Sequence, residues 1–85
     1  MTQVVIYTTE VCPYCQMAKQ LLTAKGVAYQ EVRVDQDAAI KDAMIAKSGR
    51  RTVPQIFIND QSIGGFDDLA ALEKAGKLDV LLGQA

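Results

Sequence analysis

Val4-Val5-Ile6-Tyr7-Thr8-Thr9-Glu10-Val11-Cys12-Pro13-Tyr14-Cys15 carries the reading of this chain. Val4 to Tyr7 is a β-branched and aromatic run, which predicts a strand buried on both faces. Thr8 to Val11 reads as a loop. Pro13 then sits where proline favours the first position of a helix. The two cysteines are the only ones in the chain and lie at i and i+3. On a first helical turn such residues are neighbours, within the Cα separation a disulfide accepts. As a structural staple the pair is weak. Closing a loop this short stabilises by roughly 2 kcal/mol, against roughly 3 for 15 residues. A bond that opens and reforms suits the spacing better.

Working outward, the helix after Pro13 is predicted to run to Lys25, with Ala18, Leu21, Leu22 and Lys25 on one face and Gly26 as its stop. Ala28 to Val34 is a predicted second strand. Asp35-Gln36-Asp37 opens a second helix, where acidic residues suit the dipole and the cap. Its stripe is Ile40, Ala43, Met44 and Lys47, and Gly49 ends it. Gln55 to Ile58 and Gln61 to Ile63 flank Asn59-Asp60, a pair that suits a two-residue hairpin turn. A third helix follows Gly64-Gly65 and stops at Gly76. Leu78, Leu81 and Leu82 suggest a short last helix. The order is β-α-β-α-β-β-α, an α/β domain with a mixed four-stranded sheet flanked by helices. The first two strands are expected parallel through a right-handed crossover, and the last two antiparallel.

With 85 residues, 49% of them apolar, the chain is expected to form one domain over residues 1–85 whose core does not need the disulfide. The net charge of −1 gives no electrostatic case for nucleic acid or an acidic membrane surface. Met1-Thr2-Gln3 carries no basic residue, and Val4 to Tyr7 is too short for a signal peptide or a membrane span. A reducing cytoplasmic setting is expected, where a CxxC is more often catalytic than structural.

Three constellations carry chemistry. Cys12, placed at the N-cap, would meet the free amides of the first turn, including that of Cys15. Those amides and the helix dipole favour the thiolate, so Cys12 is the expected attacking sulfur. Cys15 would be less exposed and would resolve the mixed disulfide. Tyr14 offers a flat wall for a substrate. In Thr52-Val53-Pro54, a proline before a strand is an edge residue or a cis bond. The cis form occurs in only about 5–6% of such bonds, so the residues alone favour trans. Gly64-Gly65-Phe66-Asp67-Asp68 joins close backbone approach to a helix N-terminus that can hold a carboxylate. Asp67 and Asp68 would answer an ammonium, so the pattern suits an amino-acid head group. The plain alternative is a capped helix after a glycine turn. Arg50-Arg51 reads as a solvated pair that a second substrate carboxylate could reach.

Taken together, Cys12-Pro13-Tyr14-Cys15, Thr52-Val53-Pro54 and Gly64-Gly65-Phe66-Asp67-Asp68 resemble the glutaredoxin family over nearly the whole chain, most closely the small bacterial dithiol members. The resemblance implies a thioredoxin fold with Pro54 cis. It implies a glutathione-dependent oxidoreductase that reduces protein disulfides and glutathione mixed disulfides. It implies no permanently bound cofactor, no metal, and glutathione as co-substrate. Val53 would pair with the cysteinyl backbone of glutathione, and the γ-glutamyl head group would sit at Gly65, Phe66 and Asp67. Tyr14, Thr52 and Pro54 would complete the groove. The implied partners are glutathione and disulfide-bearing or glutathionylated proteins, met by a monomer, with no nucleic acid or membrane. The chain departs from the family pattern at Thr9, where many relatives carry a lysine, so Arg50 or Arg51 is expected to meet the glycyl carboxylate. It departs again at Phe66, where several have Cys or Ser. A redoxin fed by thioredoxin reductase is the alternative enzyme. An iron–sulfur carrier, a glutathione-bridged dimer, is the alternative of another class, although one chain brings two thiolates and no histidine where a cluster usually wants four ligands.

Overall fold

In the computed structural model, which describes residues 2–83, a four-stranded sheet forms from β1 (Val4–Thr8), β2 (Gln30–Arg33), β3 (Gln55–Ile58) and β4 (Gln61–Gly64). Its order is β2-β1-β3-β4, with β1 parallel to β2, antiparallel to β3, and β3 antiparallel to β4. The helices are α1 (Pro13–Ala24), α2 (Ala38–Ser48), α3 (Phe66–Lys74) and a short α4 (Leu78–Leu81). This is the expected mixed sheet flanked by helices, the thioredoxin fold, with α4 as an eighth element. The expected domain covers residues 1–85, of which Met1, Gln84 and Ala85 lie outside the described residues.

The two central strands build the core. Ile6 of β1 lies opposite Ile56 of β3, and both are fully buried. With Val4 and Ile58 they meet Ala18 and Leu22 of α1, Leu69 of α3, and Leu78 and Leu82 at α4. Strand alternation sends Tyr7 and Phe57 to the other face, where their rings meet edge to face at 5.5 Å. Met44, the buried side chain of α2, lies outside the first cluster, so α2 covers that second face.

Where elements begin and end follows from local chemistry. The strand expected over Ala28–Val34 is shorter. Gly26, at φ +72°, ends α1 while Gly26 N donates to the Thr23 carbonyl and Val27 N to that of Leu22, at 2.9 and 3.2 Å. This double closure holds the chain to the helix end, and pairing starts only at Gln30, opposite Val5. β1 runs one residue beyond the expected Tyr7. Thr8 is fully buried, and its hydroxyl donates to Glu31 at 2.7 Å. β1 is also less enclosed than expected: Val4, Ile6 and Thr8 are buried, while Val5 and Tyr7 are half-buried. In α2 only Met44 of the expected stripe is fully buried. Ile40 is half-buried, and Ala43 and Lys47 face solvent. Asn59 and Asp60 both take positive φ, +50° and +66°, as a two-residue turn between β3 and β4 demands.

Candidate functional site

The redox turn is assembled by the exit from β1. Cys12 is the N-cap of α1, with extended backbone (φ −152°, ψ 94°), and Pro13 takes the first helical position. The Cys15 amide donates to Cys12 Sγ at 3.1 Å. This is the N-cap bond made by sulfur in place of the usual oxygen. The two cysteines are joined in a disulfide with Cα atoms 5.1 Å apart. Cys15 is wholly buried, while Cys12 keeps 9% of its surface. Its neighbours Val11 and Tyr14 are exposed, at 86% and 59%.

Two carboxylates brace the segments around it. Asp37 caps α2 by accepting from the Ala39 amide at 2.9 Å. Asp35, expected to join that cap, does something else. It accepts from the Glu10 amide at 3.0 Å and pairs with Arg33. The loop before Cys12 is thereby tied to the end of β2. The Arg33 guanidinium, then the Glu10 amide, lower the Asp35 carboxyl to a pKa of about 2.

The Val53–Pro54 peptide is cis. Thr52 is exposed, Val53 half-buried and Pro54 buried. Gln55, fully buried at the start of β3, donates from its side-chain amide to the Thr52 carbonyl at 3.0 Å and to the Thr52 hydroxyl at 3.3 Å. Sequence reasoning read Gln55 only as a strand residue. An amide following a proline, in an otherwise apolar strand, was the signal available.

The glycine turn lies beside this loop, since a β-carbon on Gly65 would come 3.4 Å from the Pro54 carbonyl oxygen. Gly64 sits at φ +112°, a backbone conformation that strains any residue with a β-carbon, and such a carbon would also displace the Asp68 carboxylate. Asp68, third residue of α3, reaches back to accept from the Gly65 amide at 3.0 Å and from Arg50 Nη1 at 2.9 Å. The Gly65 amide first, and Arg50 second, hold its carboxyl below the ordinary carboxylate range. Asp68, expected to share the ammonium role with Asp67, is therefore already engaged by its own helix start and by Arg50.

These segments enclose one cleft of about 230 Å³. Tyr14 forms one wall, its ring stacked on Phe66 at 6.2 Å. Thr52, Val53 and Pro54 form a second, and Gly65, Phe66 and Asp67 a third. Arg50 also lines it, beside Asp68. Arg51 does not. It turns to an adjoining depression of about 370 Å³ that shares Thr52 and Val53 with the cleft and also contains Thr9 and Lys41. Sequence reasoning passed over Lys41, whose place beside Thr9 arises only when α2 folds back. Among the described residues no group of three or more His, Cys, Asp or Glu side chains could hold a metal ion.

A redox-capable pair at a helix start, whose intervening Tyr14 lines a cleft of this build, has close counterparts. The sequence model of the family "Glutaredoxin" matches residues 4–63. Glutaredoxin 3 of Escherichia coli K12 is 58% identical over 82 residues, covering 96% of this chain and 99% of that protein. A glutaredoxin of Pseudomonas aeruginosa is 55% identical over 82 residues, covering 96% and 98%. Among solved structures, a buckwheat glutaredoxin–glutathione complex superposes with a TM-score of 0.90 at 34% identity, covering 98% of this chain and 78% of that one. The solution structure of glutaredoxin from Brucella melitensis gives 0.87 at 48% identity, covering 99% and 91%. Sequence and architecture agree over nearly the whole chain, and this chain belongs to the glutaredoxin family of thiol–disulfide oxidoreductases.

Proposed function

We propose that the cleft binds glutathione and that the chain, as a single monomeric domain in the cytoplasm, reduces glutathionylated proteins and protein disulfides at Cys12. The observation that carries this is the convergence of Tyr14, the Thr52–Pro54 loop and the start of α3 on one cleft at the redox turn. The buckwheat relative's complex with glutathione supports it.

In this reading the γ-glutamyl carboxylate meets the amides at the start of α3, where the helix dipole favours an anion. Asp67 answers the ammonium, because Asp68 is occupied by Gly65 and Arg50. The Val53 backbone pairs with the cysteinyl residue, and Thr52 and Pro54 shape the groove. Beyond Val53 the glycyl carboxylate approaches Arg51 and Lys41, which supply the charge absent at Thr9. Arg50 lies at the opposite, head-group end. Glutathione is a co-substrate, and no permanent cofactor or metal takes part. Nucleic acid and membrane are not partners.

The electron count closes in two displacements. The Cys12 thiolate attacks the glutathione sulfur of a mixed disulfide. A Cys12–glutathione disulfide forms and the client thiolate leaves. A second glutathione thiolate then attacks the glutathione sulfur. Oxidised glutathione departs, and Cys12 is again a thiolate. With a protein disulfide, Cys12 bonds one client sulfur and Cys15 displaces it. That leaves the Cys12–Cys15 bond of the present structure, which two glutathiones reduce.

The test compares two serine variants. Cys12→Ser is expected to abolish both activities. Cys15→Ser is expected to keep turnover of glutathione mixed disulfides and lose dithiol reduction. Equal loss of both activities in Cys15→Ser would contradict the assigned roles. Reduction by thioredoxin reductase in preference to glutathione would contradict the co-substrate.

A further inference from the structure

A second depression begins where the cleft ends. It is a groove of about 480 Å³ between α1 and α3, bordered by Met17, Leu21, Phe66 and Ala70, with Gln20 and Lys74 at its rim. Phe66 lines both the cleft and the groove, so the two are continuous across one ring. Tyr14, stacked on Phe66, and Met17, 43% exposed, follow one another at i and i+3 on α1. An apolar path therefore leads from the redox turn along the helix.

We propose that this groove seats an apolar side chain of the client polypeptide, two to four residues from the client's reacting cysteine. The inference rests on the reading of Cys12 as the sulfur that engages client disulfides. Its chemistry decides the occupant: a mixed disulfide tethers the client at Cys12, so client residues next to that cysteine must lie over the adjoining surface. Glutathione does not compete, because its head group belongs on the far side of Phe66. The reach also fits. Met17 and Leu21 lie five and nine residues past Cys12, about 7 and 14 Å along a helix axis. An extended client advances about 3.3 Å per residue, or about 7 to 13 Å over two to four. The unbranched thioether of Met17 adapts to different side chains, which suits a groove that selects apolar character and not one sequence. Lys74 and Glu73 place both signs of charge at the rim, so net charge gives the client little to follow.

Short peptides, each with one cysteine and joined in identical pairs by a disulfide, so that Cys12 must bond a peptide sulfur, test this. Leucine or glutamate is placed three residues before or after the cysteine, and kcat/KM is compared. The intact protein should favour leucine in at least one series by about five- to tenfold, the worth of half-burying that side chain. Met17→Lys, and separately Ala70→Glu, should reduce the preference to less than twofold. Both should leave turnover of the glutathione–mercaptoethanol mixed disulfide, which has no polypeptide to dock, within twofold of the unsubstituted protein. That unchanged turnover also shows that the variants are folded. Equal rates for leucine and glutamate in both series would overturn the proposal, as would a preference that survives both substitutions. The same peptide pairs, with dithiothreitol as the reductant, separate this inference from the glutathione reading. A leucine preference kept there, with no turnover supported by glutathione, would overturn the glutathione reading alone.

Discussion

Replacing Asp68 by asparagine removes one charge from the junction between the glycine turn and α3 while keeping the side chain's shape. Asp68 Oδ2 accepts from the Gly65 amide at 3.0 Å and from Arg50 at 2.9 Å. A carboxylate in the first turn of a helix contributes about 0.3–1 kcal/mol through the helix dipole. The ion pair adds a few tenths at most, because its side chains are 53% and 43% exposed. The expected loss is about 1 kcal/mol at neutral pH, a fall in Tm of about 4–8 °C for a domain of this size. Its pH dependence has a definite sign. The folded state holds the Asp68 carboxyl below its ordinary value. Its contribution is therefore complete above the unfolded value of about 3.9 and disappears as pH falls through the folded one. Asparagine mimics the protonated acid, so the gap between the two proteins should close on acidification. Denaturant unfolding of both proteins at pH 7, and at steps below pH 4, measures it. Equal stabilities at pH 7, or a gap that persists undiminished in acid, would refute the reasoning.

Three further outcomes are expected. Ile6→Ala, emptying a fully buried position opposite Ile56, should cost about 2–5 kcal/mol in denaturant unfolding, whereas Val80→Ala at a 65% exposed site should stay within about 0.5 kcal/mol. Replacing Arg51 and Lys41 together by alanine should raise KM for glutathione mixed disulfides about three- to tenfold with little change in kcat, as expected for lost charge contacts to a bound carboxylate; steady-state kinetics reads this directly. Asp35, lowered to about 2 by Arg33 and the Glu10 amide, supports the fold above about pH 3.9 and loses that role as pH falls toward 2, so Asp35→Asn should show a shallower acid limb in its unfolding profile.

Much of this architecture is legible in the chain because short-range chemistry sets it. Pro13 after Cys12 fixes the start of α1, and Asn59-Asp60 fixes the hairpin. What escaped reading depends on distance in space. Asp67 and Asp68 look equivalent in sequence. Only the second, at the third helical position, can turn back to the Gly65 amide. Arg50 and Arg51 look like one patch, yet the fold sends one to each depression. Asp35 and Asp37 look like one cap, but Asp35 is drawn to Glu10 and Arg33 across the ends of two parallel strands. The cis state of Pro54 was favoured by family likeness and not by the residues alone.

The reactivity assigned to the redox turn rests on the Cys15 amide that donates to the sulfur of residue 12 and on the dipole of the helix it opens. Thiolate absorbance of Cys15→Ser, followed across pH, measures their effect on a single cysteine. An apparent pKa well below the free-thiol figure of about 8.5 is the expected result, and a value at or above that figure would contradict the account.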